Sequence, residues 1–304
     1  MKTVRNIAFG YSTVCNIRCR HCVAAGETPA KSRMDLEQAV NFIHDMAACN
    51  VTGISFTAGE PLLFLDDICV LVKVCKDLGI YSRVVTNGFW ANTAEDADKV
   101  VSLLVSAGLS QLRISCSRWH QEHVNIANII NAAQSCINNR LDYFISFVTD
   151  FSEKDDSIEQ LLQDSKIIYF PEPVIYLGRA EDFERKDLNT DYSQNTCTMN
   201  PYLTPDLDVY ACCDGTGAFS ETDFLYLGNL KSEGIEDLFS KKENNILYNL
   251  IRNTGLSAIA TGLGMKASEI VKYRKCELCE KIFNSKKNLA ELKKLVSVNS
   301  IRWR

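Results

Sequence analysis

Eight residues, Cys15 to Cys22, read CNIRCRHC and constrain the chain more than any other stretch. Three thiols at x3 and x2 spacing in a short loop can converge on one metal centre. The neighbouring residues supply no further Cys or His except His21, which stands between two of the thiols, so the set suits a 4Fe–4S cubane better than tetrahedral zinc. Burial of three metal-free cysteines is the alternative, but the loop also carries two arginines and an asparagine.

The spacing of Cys15, Cys19 and Cys22 resembles the signature of the radical S-adenosylmethionine (SAM) enzymes. The resemblance implies a 4Fe–4S cluster on these cysteines, with SAM bound to the iron that has no protein ligand. It also implies reductive cleavage of SAM to methionine and a 5′-deoxyadenosyl radical, which abstracts a substrate hydrogen. The electron would come from an external donor of the flavodoxin or ferredoxin type.

Composition limits the other classes of function. With 304 residues and 46% apolar content, the chain can fill one large α/β domain and a small one. The net charge of -5 does not favour binding to DNA or RNA, whose phosphates attract positively charged proteins. No signal peptide or membrane-length apolar run is present, so we expect a cytoplasmic protein with no membrane partner. In a reducing compartment, 13 cysteines favour metal or redox chemistry over disulfides.

Apolar runs alternate with helical patterns through the first half of the chain. Six runs are predicted as strands: Ile7–Tyr11, Gly53–Thr57, Tyr81–Val85, Leu112–Ser115, Tyr143–Val148 and Lys166–Phe170. Six β-α units favour a parallel sheet with helical crossovers, and six are too few for a complete eightfold barrel. We therefore predict an α/β fold, a partial (β/α)6 TIM-type barrel over residues 1–175, with the cysteine loop at its catalytic edge.

The loop after the second predicted strand reads Ala58, Gly59, Glu60. It resembles the GGE motif of radical SAM enzymes, with Ala58 in place of the first glycine. The resemblance implies that Glu60 binds the SAM ammonium group; a solvated loop glutamate is the alternative. The resemblance also implies that His21 lies against the adenine of SAM. Two residues at the barrel mouth, Asn87 and Ser115, are candidates for polar contacts to SAM. Each of these two could equally be structural.

The segment Cys116–His123 follows the fourth predicted strand and gathers a thiol, an arginine, a tryptophan and two histidines. Its position predicts that it lies where substrate binds. Arg118 could bind a substrate carboxylate and His120 could transfer a proton. Cys116 stands where the family often has Asp and could donate a hydrogen atom. The alternative is a helix-entry loop with packed aromatic residues.

Residues 176–304 follow a stretch rich in prolines and charges and carry a second group of cysteines. The pattern resembles a small α+β domain of the SPASM or Twitch type, and the lack of further Cys after Cys279 favours the shorter Twitch form. Leu207 stands where the family has glycine. The resemblance implies one auxiliary 4Fe–4S cluster on four cysteines: Cys197, Cys212, Cys276 and Cys279. A four-cysteine zinc site is the alternative.

Cys213 is an additional thiol beside Cys212. It could replace Cys212 as a ligand, be inert, or donate a hydrogen atom in a peptide epimerase.

SPASM and Twitch enzymes act mostly on peptides or proteins. The resemblance therefore implies a maturase that takes a ribosomally made precursor peptide and forms a crosslink or thioether, or epimerises a residue. Because the first strand begins within ten residues of Met1, we expect no N-terminal leader-binding domain. Two alternatives stay open: a radical enzyme for a sugar, nucleoside or amino acid, and a non-catalytic iron–sulfur or zinc protein.

Overall fold

The computed structural model describes residues 4–23, 32–185, 196–214 and 216–301. The chain forms two compact units. The first unit comprises Met1–Cys22, Glu27–Val174 and Pro201–Asp208, and the second comprises Val23–Gly26, Ile175–Asn200 and Val209–Arg304. The sequence predicted a boundary at residue 175. It did not predict that Pro201–Asp208 belongs with the first unit.

The first unit is built on a sheet with the strand order β6-β5-β4-β3-β2-β1-β7. Its strands are β1 (Arg5–Gly10), β2 (Val51–Thr57), β3 (Tyr81–Thr86), β4 (Gln111–Cys116), β5 (Asp142–Thr149), β6 (Tyr169–Pro173) and β7 (Tyr202–Leu203). Neighbouring strands from β6 to β7 pair in parallel. This arrangement confirms the predicted α/β class and partial (β/α)6 barrel, whose parallel strands need helical crossovers.

Five helices supply the crossovers: α1 (Leu36–Ala48), α2 (Leu65–Asp77), α3 (Ala94–Ala107), α4 (Ile126–Asn138) and α5 (Asp156–Asp164). The sequence predicts a helix that begins at Thr93, because Asp96 follows three residues on. Helix α3 begins there, and the Asp96 backbone N–H donates to the Thr93 hydroxyl at 3.1 Å. It ends at Gly108, whose φ of 91° is readily adopted only by glycine.

Strand β6 differs from the prediction. The sequence placed it at Lys166–Phe170, whereas it spans Tyr169–Pro173 and contains Pro171 and Pro173. Proline has no backbone N–H to donate to a neighbouring strand, so the predicted strand ended before Pro171. Strand β6 lies at the edge of the sheet and pairs with β5 alone. The absence of an N–H at its two prolines is therefore tolerated.

The two faces of the sheet differ in exposure. On β4, Leu112, Ile114 and Cys116 are fully buried, while the alternate residues are partly exposed. Helix α4 packs against this strand. Since successive side chains of a strand point to opposite faces, Ser115 lies on the open face and Cys116 on the covered face.

The second unit is mainly helical. It contains β8 (Asp208–Tyr210), which begins at the last residue of the first unit, β9 (Tyr226–Asn229), α6 (Ile235–Asn244), α7 (Ile246–Thr254), α8 (Leu256–Gly262), α9 (Ala267–Ile270), α10 (Lys275–Phe283) and α11 (Lys286–Ile301). The sequence did not predict α8, α9 and α10, because they span only seven, four and nine residues and show few repeats of the helical pattern. None of the helices in the described residues is long and apolar enough to span a membrane.

Candidate active site and auxiliary cysteine site

The three closely spaced cysteines lie on the loop that follows β1. Cys19 is buried, Cys15 and Cys22 are partly exposed, and the Cys22 N–H donates to the Cys19 carbonyl oxygen at 3.3 Å. None of the described cysteines forms a disulfide bond. Three thiols on one loop at the carboxyl edge of a parallel sheet are the donor type that an iron–sulfur cluster needs. In this structure the three side chains are not gathered around one point.

The loop after β2 holds the cysteine loop by direct backbone contact. The Glu60 N–H donates to the Val14 carbonyl oxygen at 2.8 Å. Gly59 has a φ of 55°, and a Cβ at this position would lie 2.3 Å from the same Val14 oxygen. Only glycine permits this approach. The loop after β3 also contacts the cysteine loop, because the Asn87 side-chain amide donates to the Asn16 side-chain oxygen at 2.9 Å.

The two residues that replace family glycines both adopt left-handed backbone. Ala58 has a φ of 69°, and Leu207 has a φ of 73° in the turn that the Thr204 N–H closes on the Asp208 carbonyl at 2.9 Å. A side chain costs free energy in this conformation, whereas glycine does not. Each substitution therefore keeps the turn geometry at the expense of local strain.

The Glu60 carboxylate is buried and accepts three hydrogen bonds. Its Oε1 accepts from the Leu62 N–H at 3.1 Å and the Thr86 hydroxyl at 2.8 Å, and its Oε2 accepts from the Asn87 N–H at 2.7 Å. Burial raises the pKa of Glu60 to about 7, although these hydrogen bonds act in the opposite direction. The carboxylate retains acceptor capacity for one further donor.

His21 lies in an aromatic cluster with two residues of the loop after β4. Its ring centroid is 4.9 Å from Trp119, at an interplanar angle of 31°, and 4.7 Å from His120. The His120 Nδ1 lies 2.8 Å from the Ser117 hydroxyl. Burial lowers the pKa of His120 well below its usual range, and His21 and His123 act in the same direction. His120 is therefore neutral near pH 7.

Polar contacts from the same loop reach the cysteine loop at two residues that precede His21. The Arg20 Nε donates to both carboxylate oxygens of Glu122 at 3.1 Å, and the His123 Nε2 lies 3.3 Å from the Arg18 carbonyl oxygen. The sequence predicted Cys116–His123 as part of the substrate site. The structure places Trp119, Glu122 and His123 against the cysteine loop, and the substrate role of the segment stays a prediction.

Arg118 is engaged by two carboxylates. Its two terminal nitrogens donate to the two oxygens of Asp150 at 2.9 and 2.7 Å, and Nη1 also donates to Asp155 at 2.8 Å. Hydrogen bonding to Asp150, and to Asp155 after it, raises the pKa of Arg118. Since these neighbours already balance its charge, the contacts favour a structural role over binding of a substrate carboxylate.

Ser115 and Cys116 are adjacent in sequence but do not share a face. Ser115 lies on the open face of the sheet, as a SAM or substrate contact requires. Cys116 is fully buried on the other face, and burial raises the pKa of its thiol to about 12. Its thiol contacts the Gln121 amide at 4.0 Å. This position does not favour the hydrogen-donor role predicted for Cys116.

Four cysteines of the second unit line one narrow cavity: Cys197, Cys212, Cys276 and Cys279. Cys276 and Cys279 belong to α10, and Lys275 beside them lines the same cavity. The cavity measures about 20 Å³, room for one water molecule, so the thiols would move apart to hold a cluster. Among the described residues, no three His, Cys, Asp or Glu side chains are arranged to hold a metal ion.

Cys213 is adjacent to this set but lies outside the cavity lining, whereas Cys212 is part of it. A hydrogen bond with the Cys212 sulfur, and burial after it, raises the pKa of the Cys213 thiol. Of the two adjacent thiols, the cavity lining therefore favours Cys212 as the ligand.

Three residues that organise the site were not predicted from the sequence: Asn16, Thr86 and Trp119. Asn16 and Thr86 act through hydrogen bonds to Asn87 and Glu60. In the sequence, only the position of Asn16 and Thr86 next to a predicted motif indicates a role, because the residues that they contact lie on other loops. Trp119 was assigned to the substrate region, and nothing in the sequence showed that it contacts His21.

Comparison with protein families gives a match to the Radical SAM superfamily over residues 10–162, just over half of the chain. Bacillus subtilis YydG, which is named as a peptide biosynthesis protein, is 23% identical over 300 residues, or 92% of each chain. A GTP 3′,8-cyclase of Chlorobaculum tepidum is 30% identical over only 123 residues, 40% of this chain and 35% of the cyclase.

Among solved structures, Streptococcus suis SuiB bound to its precursor peptide SuiA is similar with a TM-score of 0.50. The match covers 92% of this chain and 76% of SuiB at 12% sequence identity. At that identity the likeness concerns the fold. It agrees with the partial barrel described above.

Proposed function

Because the chain belongs to the radical SAM superfamily, a family of enzymes that use a 4Fe–4S cluster and SAM, we propose that it modifies a ribosomally synthesised precursor peptide. The modification begins with hydrogen abstraction and yields a crosslink, a thioether or an epimerised residue. The end-to-end match to YydG carries this proposal, since it covers 92% of both chains and so includes the second unit. The GTP 3′,8-cyclase match covers only 40% of this chain.

The chain's own residues define the first site. Cys15, Cys19 and Cys22 would hold the cluster, which together with SAM supplies the hydrogen-abstracting radical. The buried Glu60 carboxylate would accept the SAM ammonium group with its remaining acceptor capacity. Gly59 allows the two loops to approach closely. Three further residues around the cysteine loop would contact SAM: His21, Asn87 and Ser115.

The second cysteine site would hold one auxiliary 4Fe–4S cluster in a Twitch-like domain over residues 176–304, following the radical SAM barrel of residues 1–175. The shared cavity of Cys197, Cys212, Cys276 and Cys279 supports this assignment. The positive charge of Lys275 would stabilise a cluster ligated by four thiolates. Such a cluster could accept an electron from an oxidative closure or relay one.

Cys213 is the stronger candidate for the hydrogen donor that an epimerase needs. Its sulfur lies beside Cys212 but outside the four-cysteine cavity, so it can keep its hydrogen when the other thiols bind metal. Cys116 is the weaker candidate because it is fully buried on the covered face of the barrel sheet. His120 and Arg118 would act by positioning neighbours.

The proposed partners are the precursor peptide and an external flavodoxin or ferredoxin. The enzyme we propose is cytoplasmic and needs neither a nucleic acid nor a membrane.

Co-expression tests the proposal. The full chain is produced with each small peptide encoded beside its gene, and the peptides are analysed by mass spectrometry with and without Cys19→Ala. We expect a mass loss of about two hydrogens for a crosslink or thioether, or one deuterium per epimerised residue in heavy water. 5′-Deoxyadenosine should form with SAM and dithionite. If 5′-deoxyadenosine forms and no peptide changes, a sugar, nucleoside or amino acid is the substrate. If none forms, the chain is not a radical SAM catalyst.

A further inference from the structure

An open cleft lies in the second unit beside the four-cysteine cavity. It measures about 280 Å³ and is lined by Tyr210, Phe219, Thr222, Asp223, Leu225 and Tyr226. Ligand sites for drug-sized molecules begin at about 300 Å³, so this cleft suits one amino-acid side chain better than a cofactor.

Three of the six lining residues are aromatic, and polar groups form most of the exposed lining. The ring centroids of Tyr210 and Tyr226 are 5.6 Å apart at an interplanar angle of 63°. Phe219 supplies a third ring and is partly exposed, and Tyr226 is 42% exposed. The faces of aromatic rings carry negative potential and attract cations, as in aromatic cages for ammonium groups. A cation in the cleft can therefore interact with these rings as well as with the polar groups of the lining.

The charge of the cleft favours a cation. Asp223 is an exposed carboxylate, and within the described residues it makes no ion pair. Within the second unit, residues 209–226 contain three acidic residues and no Lys, Arg or His: Asp214, Glu221 and Asp223. Such a stretch attracts cationic groups and repels anionic ones.

Two residues connect the cleft to the cysteine site. Phe219 and Leu225 line both the cleft and the four-cysteine cavity, so they form a common wall. A side chain bound in the cleft would lie just beyond this wall from the thiols. The cleft is thus placed to hold a substrate residue close to the auxiliary site.

We infer that this aromatic and acidic cleft binds a lysine or arginine side chain of the precursor peptide. The cationic group would contact the ring faces and form a charge-assisted hydrogen bond with Asp223. The choice of a peptide residue rests on the proposed function. The preference for a cation rests on the cleft alone.

The test is a titration of the full-length protein, purified without oxygen and labelled with ¹³C on its tyrosine rings, followed by NMR. Tyr210→Phe and Tyr226→Phe assign the two signals. The probes are the N-acetyl amides of lysine and arginine, with those of norleucine and glutamate as controls. We expect saturable shifts with the two cations only. Asp223→Asn should weaken their binding roughly tenfold, whereas Glu291→Gln, an exposed carboxylate change on α11, should leave it unchanged.

Equal shifts with norleucine amide, or unchanged binding in Asp223→Asn, would overturn the inference. The assay needs no turnover, so it separates the two proposals. A cleft that binds cations in a protein that modifies no peptide refutes the peptide function alone. If the protein modifies its peptide but neither cation shifts the tyrosine signals, the cleft assignment alone is refuted.

Discussion

The two cysteine sites of this protein are assembled in opposite ways. In the first unit, three thiols lie within eight consecutive residues. The surrounding loops contact this segment through Gly59 and Glu60, which meet the Val14 carbonyl oxygen, and through Asn87, which donates to the Asn16 side chain. In the second unit, four thiols between Cys197 and Cys279 meet only because separate elements line one cavity. The first site is thus local and held by neighbouring loops, whereas the second depends on tertiary packing. The following experiments test that contrast.

Removing one cysteine at each site should give the largest effect. With two 4Fe–4S clusters, the intact protein should hold about eight iron atoms, and Cys19→Ala or Cys279→Ala about four each. Cys213→Ala should keep all eight, since Cys213 lies outside the four-cysteine cavity. Iron, sulfide and zinc analysis provides the measurement. About four iron atoms plus one zinc in the intact protein would instead identify the second site as a zinc site.

Glu60 should make stability depend on pH in the metal-free protein. Its folded pKa is about 7 and its ordinary value 4.5, so between these pH values the unfolded chain holds fewer protons than the folded one. The free energy of unfolding therefore falls as pH rises through this window, by on the order of 3 kcal/mol. Glu60→Gln should remove this slope in urea titrations at pH 4.5 to 8, and Glu95→Gln, an exposed control, should retain it. A slope shared by all three proteins would contradict the burial of Glu60.

Gly59→Ala should disturb the loop contact. The new Cβ would lie 2.3 Å from the Val14 carbonyl oxygen, at a φ of 55°. We expect a loss of at least about 2 kcal/mol in the free energy of unfolding and weaker iron retention at the first site. Gly79→Ala is a matched control, because it also has a positive φ but an added Cβ would meet nothing within 4 Å. Equal losses in both variants would show that φ, and not the contact, sets the effect.

Ala58→Gly should give the smallest change, and in the opposite direction. Glycine removes the cost of left-handed backbone at a φ of 69° but adds freedom to the unfolded chain. The balance should stabilise the protein by about 0.5–1 kcal/mol, measured by urea unfolding. A destabilised variant would show that the Ala58 side chain makes contacts that outweigh its strain.

The sequence by itself determined the α/β class, the parallel partial barrel and the family. These features depend on local patterns: apolar runs that alternate with helical stripes, and three thiols on one loop. It also placed Thr93 at the start of α3, because a helix cap needs only neighbouring residues. Tertiary structure was not needed for any of these predictions.

Only the tertiary structure decided which partners the side chains meet. It placed Trp119 and Glu122 against the cysteine loop, matched Arg118 with two aspartates, and turned Cys116 away from the open face of the sheet. Each contact joins loops distant in sequence, and a one-residue change of register on a strand reverses the face a side chain occupies. Spacing could identify the cysteine loop, but only packing could show how it is held.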